Sequence, residues 1–451
     1  MKQARWIVVA STLVLSATWP MACAVATDND APIDVHAPDA KSDASVVVES
    51  DASDAITDGA VDADAGLPTT CSPAGLCQVD LSQAQVDPAD EAAVRAAQFY
   101  AIWSDGSGNL YIGGRCGPLD TQNSPTSTCL LRLRGQKLEL LFSKPASDAI
   151  SSIWASGPND VWASSTTGLW HGEGADPTKL TWTAVTFPSA LGLANVRRYC
   201  PVWGSGPNDV WAPIVTNSGA IRIAHFGTVD AGVADWSVDE QASSLSSGGW
   251  GTCPMLTGRS SNDVWIGAAG HIVHRDGSGT WTDVTPPTSV YAQIDWNGSS
   301  TYATAAFSAA SNQAWFGALL SYGDGYRNYP VRVVLPDDGG APVGTDFSSV
   351  NDTYSDGVYA EIYAFWGTSA SDVWMGANYG RVQHWDGTKW SFVGIAPAGS
   401  VTPLLADVRG IWGSGAPKDV WFVANTTQPV GKAMLRRGFL IHLDPTKGVN
   451  P

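Results

Sequence analysis

The chain has no apolar run long enough to cross a bilayer as a helix. Its longest, WIVVASTLVLSA at residues 6–17, falls well short of the roughly 20 residues that a span needs. Charge is scarce at 15% of residues, and the 25 Lys and Arg are outnumbered by 43 Asp and Glu without forming a basic cluster. Nucleic acid is therefore excluded as an expected partner, because a phosphate backbone demands a clustered basic face. Helical periodicity is missing apart from one short candidate turn near residues 90–97. No phosphate loop, nucleophile motif or acid pair stands out. These absences remove membrane-spanning, nucleic-acid-binding and helical-solenoid readings and leave an all-β chain without a catalytic signature.

What is present begins with an address. Lys2 and Arg5 precede the short apolar run, as in a secretory signal over residues 1–22. Its end reads in two ways. PMAC at residues 20–23 resembles the lipobox of bacterial lipoproteins, in which Cys23 takes lipid and becomes the new N-terminus, although Pro20 stands where Leu is usual. Ala24-Val25-Ala26 is an ordinary cleavage site, which would leave a secreted or periplasmic soluble protein. The expectation taken forward is lipidation at Cys23, hence an outer-membrane lipoprotein of the cell envelope that meets the membrane only through that lipid. Residues 23–70 follow as a tether, and 27–70 hold ten Asp, one Glu and one Lys with no aromatic residue. Such a segment buries too little apolar surface to offset chain entropy and is expected to be disordered.

The rest of the chain, residues 71–451, repeats. SGPNDVWA occurs at residues 156–163 and again, unchanged, at 205–212. Weaker copies align their second aromatic at Tyr111, Trp162, Trp211, Trp265, Trp315, Trp374 and Trp421, at intervals of 51, 49, 54, 50, 59 and 47 residues. A period near 50 belongs to propeller blades rather than helical solenoids. Each unit reads as a run ending in Trp, a Gly/Ser/Pro/Asn turn, an alternating VWxG run, a third run such as RVQHWDG, and a fourth carrying another Trp. Four short strands with tight turns make one antiparallel blade. The expectation is an all-β, seven-bladed β-propeller of four-stranded antiparallel blades. The seventh unit stops after its third strand, FLIHLD at 439–444, so residues 77–83 (CQVDLSQ) are expected to supply its outer strand and cover an open edge.

On these units, W-G-S-G-x-N-D-V-W and H-W-D-G-x-x-W, the chain resembles the extracytoplasmic β-propeller lipoproteins abundant in myxobacteria, over residues 99–444. The resemblance implies a fold and an envelope location and carries over no catalytic residues.

Chemistry-bearing residues mostly follow the repeat. Fifteen of the 21 tryptophans fall at three repeat positions and are expected to pack between blades. The Asp of NDVW (Asp160, Asp209, Asp263, Asp372, Asp419) is expected to accept backbone N–H groups in its turn. His171, His225, His274, His384 and His442 recur once per blade, too far apart to share a zinc ion, so no metal and no cofactor are expected. HRDGSGTW at 274–281 resembles the Asp-box turn of propeller sialidases, but Ser278 stands where the box has Gly. Six cysteines remain beyond Cys23. Cys116 with Cys129, Cys200 with Cys253, and Cys71 with Cys77 are the expected bridges, with free buried thiols as the alternative.

Loop lengths distinguish the two faces. First-to-second and third-to-fourth connections are short and repetitive, whereas second-to-third and blade-to-blade loops are long and unlike one another. Recognition is expected on the long-loop face, with Trp250, Tyr291, Trp296, Tyr302, Tyr322, Tyr326 and Tyr329 as ligand-contact candidates because they lie off the repeat. The function expected is a monomeric, non-catalytic binding or scaffold module for a protein or glycan. The alternative is a propeller glycosidase or lyase with its catalytic residues in the same loops.

Overall fold

The structure is a computed structural model. It describes residues 67–444 apart from 105–107, 121–123, 147, 194, 229–233, 247–251, 269, 287–300, 323–324, 347–360, 397–405, 415–418 and 431–432, and apart from some side chains at strand ends. Cys23, the signal segment and the tether up to residue 66 lie outside the described residues.

Seven antiparallel sheets follow one another along the chain, six of them local. Blade 1 runs through Gln98–Ser104, Asn109–Leu119, Pro125–Arg134 and Lys137–Pro145 in meander order, and blades 2 to 6 repeat the pattern. Blade 7 takes three strands from the C-terminal end, Ala406–Gly413, Val420–Val430 and Ala433–Leu443, and completes itself with Leu76–Val79 from the N-terminal end. The closing strand is antiparallel, with Leu76 opposite Leu443 and Gln78 opposite Ile441. Thr69–Cys71 then adds a fifth strand beyond it. Asn425 fastens blade 7 to blade 1 on the inside, donating to the Phe99 carbonyl at 2.6 Å and accepting the Phe99 N–H at 2.7 Å.

Two boundaries differ from expectation. Leu67 is buried and Thr69 already pairs with Val79, so residues 67–70 belong to the propeller rather than the tether. Residues 81–83 form a short 3-10 turn and not part of the closing strand, because Asp80 caps the Ser82 N–H and bends the chain away. The candidate turn near residues 90–97 is a helix over Glu91–Arg95. A second short helix, Glu240–Leu245, caps blade 3, with Asp239 accepting the Ala242 N–H.

Tryptophans are the wedges between blades. Trp162 of blade 2 meets Trp236 of blade 3 edge-on at 5.9 Å, Trp211 meets Trp281 at 5.6 Å, and Trp315 meets Trp390 at 5.1 Å. The first-strand Trp explains the glycine that follows it one blade later. A Cβ on Gly204 would stand 2.7 Å from the Trp154 ring, one on Gly258 2.7 Å from Trp203, and one on Gly413 2.4 Å from Trp366. Each of these glycines thus marks a contact between neighbours, since the preceding blade's ring and the blade's own backbone leave no room for a side chain.

Two disulfides add covalent ties. Cys71–Cys77 joins the two N-terminal strands, and Cys200–Cys253 links the entries to the inner strands of blades 3 and 4. In blade 3, that inner strand breaks into Val196–Tyr199 and Trp203–Gly206, because Pro201 has no N–H to give to the ladder. The expected Cys116–Cys129 bridge is absent, and both residues are buried thiols. Cys129 faces Gly114 while Cys116 faces Ser127, so the two sit diagonally on the strand pair, their thiols in hydrogen-bond contact. Burial pushes the Cys129 thiol well above its ordinary range.

Candidate functional site

Both ends of the inner strands carry polar side chains, and they do different things. At the turn end, each NDVW aspartate is held by side chains. Asp160 accepts from the Trp162 indole N–H at 3.1 Å, from Ser156, and pairs with His171 at 2.6 Å. Asp209 does the same with Trp211 (3.2 Å), Ser205 and His225 (2.7 Å), and Asp372 with Thr368 and His384 (2.6 Å). The His ring stacks on the Trp of its own blade, at 4.0 Å for Trp162 and His171 and 3.9 Å for Trp211 and His225. This corrects the sequence reading of these aspartates as chiefly acceptors of backbone N–H groups; of the three, Asp372 also takes one, from Thr368. That task belongs to the aspartates of the third-to-fourth turns: Asp276 takes the N–H of Ser278 and Thr280, and Asp386 those of Thr388 and Lys389. Burial opposes the charge on Asp160 and Asp209, yet the His, Ser and Trp hydrogen bonds prevail and hold both carboxyls below the usual range. The network is a repeated structural latch, present in blades 2, 3, 4, 6 and 7.

The other end is irregular. A central channel of about 470 Å³ is lined by residues from all seven blades. Inner strands enter it from the blade-to-blade connections, and four of them bulge at the same repeat position. In blade 1, Phe99 faces Gly114 and Ala101 faces Gly113, so Tyr100 has no residue opposite it. Thr304, Tyr363 and Arg409 are skipped in the same way in blades 5, 6 and 7. A bulge leaves its extra residue out of the ladder and re-aims it, and all four residues line the channel. Each stands three residues before the first-strand aromatic, Trp103, Phe307, Trp366 or Trp412.

Three of the four interact. The Arg409 guanidinium carbon lies 3.6 Å from the Tyr363 ring centroid and 5.7 Å from that of Tyr100, so a cation from blade 7 rests between aromatics of blades 6 and 1. Arg409 also pairs with Asp407 at 2.7 Å. Tyr363 donates its hydroxyl to Glu361 at 2.7 Å, and Tyr100 donates to Gln98 at 3.0 Å. Burial pushes the Tyr363 phenol well above its ordinary range; the Arg409 charge opposes that shift and the bond to Glu361 adds to it. Arg198 and Tyr199 line the channel on the blade 3 side. A mouth that offers aromatic rings and guanidinium groups suits a planar or anionic acceptor group.

Most of the candidates from sequence lie elsewhere. Trp250, Tyr291 and Trp296 are outside the described residues. The backbone places Tyr302 on the first strand of blade 5, and Tyr322 and Tyr326 next to the tip of its second-to-third hairpin, while their side chains are not described. Tyr329 is a correction. It is 2% exposed and packs in the core with Phe316 and Val331, because its place in the ladder opposite Ala318 turns it inward. Sequence reasoning missed Tyr100, Tyr363 and Arg409. The signal was their shared offset from the repeat tryptophan, which coincides with no recurring residue type. Among the described residues no group of three His, Cys, Asp or Glu side chains is arranged to hold a metal ion.

No family model and no curated protein matches the chain. Among solved structures it is similar to YCF48 from Cyanidioschyzon merolae, with 15% identity, coverage of 83% of this chain and 99% of that one, and a TM-score of 0.46. YCF48 bound to a D1 peptide shows 12% identity, 78% and 95% coverage and a TM-score of 0.45. The N-terminal domain of Nup159 shows 10% identity, 83% and 97% coverage and a TM-score of 0.46. At these identities and TM-scores, no argument about what the chain binds rests on the likeness.

Proposed function

We propose that the chain is a non-catalytic binding module that captures a protein or glycan at the long-loop end of its central channel. The observation that carries this reading is the set of bulges at one repeat position, which turn Tyr100, Thr304, Tyr363 and Arg409 into the channel while the opposite end repeats a latch. A scaffold with no ligand has no use for four re-aimed side chains that differ in kind. A glycosidase of the usual kind needs a pair of carboxyl groups free to exchange protons, whereas Asp407 and Glu361 beside this cluster are engaged by Arg409 and Tyr363. The resemblance in the repeat units and the acidic residues 27–66 support display from an envelope through lipid on Cys23.

Two measurements test these statements. The immobilised protein, exposed to envelope extract, is expected to retain a partner that Arg409→Ala or Tyr363→Ala releases; no retained partner, or one held equally by both variants, overturns the binding site. The mass of the mature N-terminus is expected to show lipid on Cys23, and a chain that begins at Thr27 without lipid refutes the anchor.

A further inference from the structure

The central channel is built in two layers of different chemistry. Its mouth carries the re-aimed Tyr100, Tyr363 and Arg409, with Arg198 on the blade 3 side. Two residues beyond Tyr100, Tyr363 and Arg409, about 7 Å further along their strands, stand Ile102, Phe365 and Ile411. These three belong to a collar. In every blade the residue just before the one that pairs with the second-strand aromatic is apolar and lines the channel, from Ala306, the smallest, to Phe365, the largest. A mouth with charged and phenolic groups thus leads to a ring of apolar side chains.

Charge in the channel runs against that of the chain. The net charge is -18, yet the described residues that line the channel include two arginines and no aspartate or glutamate. Asp407 takes an N–H of Arg409 at 2.7 Å and balances it. Arg198 is half-buried and makes no ion pair among the described residues. A guanidinium drawn partly out of water without a counter-ion is costly, and an anion in the channel relieves that cost. We propose, on the reading of the mouth as a binding site, that the channel takes a small organic acid with an apolar stem, of the kind of a medium-chain fatty acid. The stem lies against the collar and the carboxylate meets Arg198. One planar carboxylate matches the fork of one unpaired guanidinium in both charge and shape. A neutral alcohol of the same length leaves Arg198 unmatched, and a cation is repelled.

The test uses the full mature chain and octanoate as probe, with octanol, acetate and octyltrimethylammonium as comparisons, in calorimetry and ligand-observed NMR. Saturable binding of octanoate is expected, with octanol and acetate each at least about tenfold weaker and the ammonium weaker still. Arg198→Gln is expected to weaken octanoate about tenfold and to leave octanol unchanged. A diazirine-bearing octanoate is expected to cross-link to peptides that contain Ile102, Phe365 or Ile411, a readout that needs no variant to fold. Absence of saturable octanoate binding, equal affinity for octanoate and octanol, parental affinity in a folded Arg198→Gln variant, or cross-links confined to other peptides overturns the proposal. The two readings of the mouth fail separately. A partner retained from envelope extract and released by Arg409→Ala, without octanoate binding, ends the acid and leaves the docking site standing; octanoate binding without a retained partner supports the acid and ends the capture of a protein or glycan.

Discussion

The two ends of the inner strands start from the same backbone and diverge. At the turn end, Ser or Thr, Asp, Trp and His occupy equivalent positions in blade after blade and make the same bonds within 0.1 Å between blades 2 and 3. At the channel end, the residue three before the first-strand aromatic is Tyr in blades 1 and 6, Thr in blade 5 and Arg in blade 7. Repetition in five of the seven blades marks a shared problem, namely how to hold a heavy indole against the next sheet. Variation at a fixed position marks a surface whose seven contributions meet once, around one channel.

If that contrast is physical, damage at the two ends should differ in kind. The largest loss of stability is expected from Trp211→Ala, which removes a buried ring from contact with Trp281 and His225 and costs about 4 kcal/mol. Chemical denaturation checks it, and a cost no greater than that of Tyr100→Ala would erase the distinction. Next comes the Cys200–Cys253 tie, which closes a separation of 53 residues and is expected to contribute about 4 kcal/mol by loop entropy, against about 2 kcal/mol for Cys71–Cys77 with its separation of 6. Paired Cys→Ser variants, compared by denaturation midpoint, decide the order.

Acid should attack the latches. Asp160, Asp209, Asp372 and Asp419 are all held below the usual carboxyl range in the folded protein. Their contribution is therefore complete above the unfolded value of about 3.9 and is lost as pH falls through the lower folded values. Asp209→Asn is expected to cost about 2 kcal/mol at neutral pH, and that difference from the parent should shrink as pH drops below 4. A constant difference across the titration would refute the charged latch. The smallest change in stability, under about 1 kcal/mol, is expected for Arg409→Ala, whose guanidinium keeps part of its surface in water. Its effect should appear in ligand retention instead.

Much of this was legible in the chain before any coordinates. The period, the strand order in each blade and the N-terminal closure follow from local patterns, since alternation, turn residues and tryptophan spacing act over a few residues. The site was less legible for a reason visible in Tyr329 and Tyr363. Tyr329 sits off the repeat and looked available, yet its ladder partner turns it into the core. Tyr363 sits inside an inner strand at a position with no recurring residue type, yet a one-residue bulge turns it into the channel. Both outcomes depend on cross-strand register, which residue type alone does not reveal.

By itself, then, the order of residues determined the repeated part of this protein: seven sheets, their wedges and the strand that closes the ring, because each is a short-range requirement written once per unit. Only the tertiary structure decided which side chains reach the channel. That outcome arises from cross-strand register, where one skipped residue changes what neighbouring blades present to the channel.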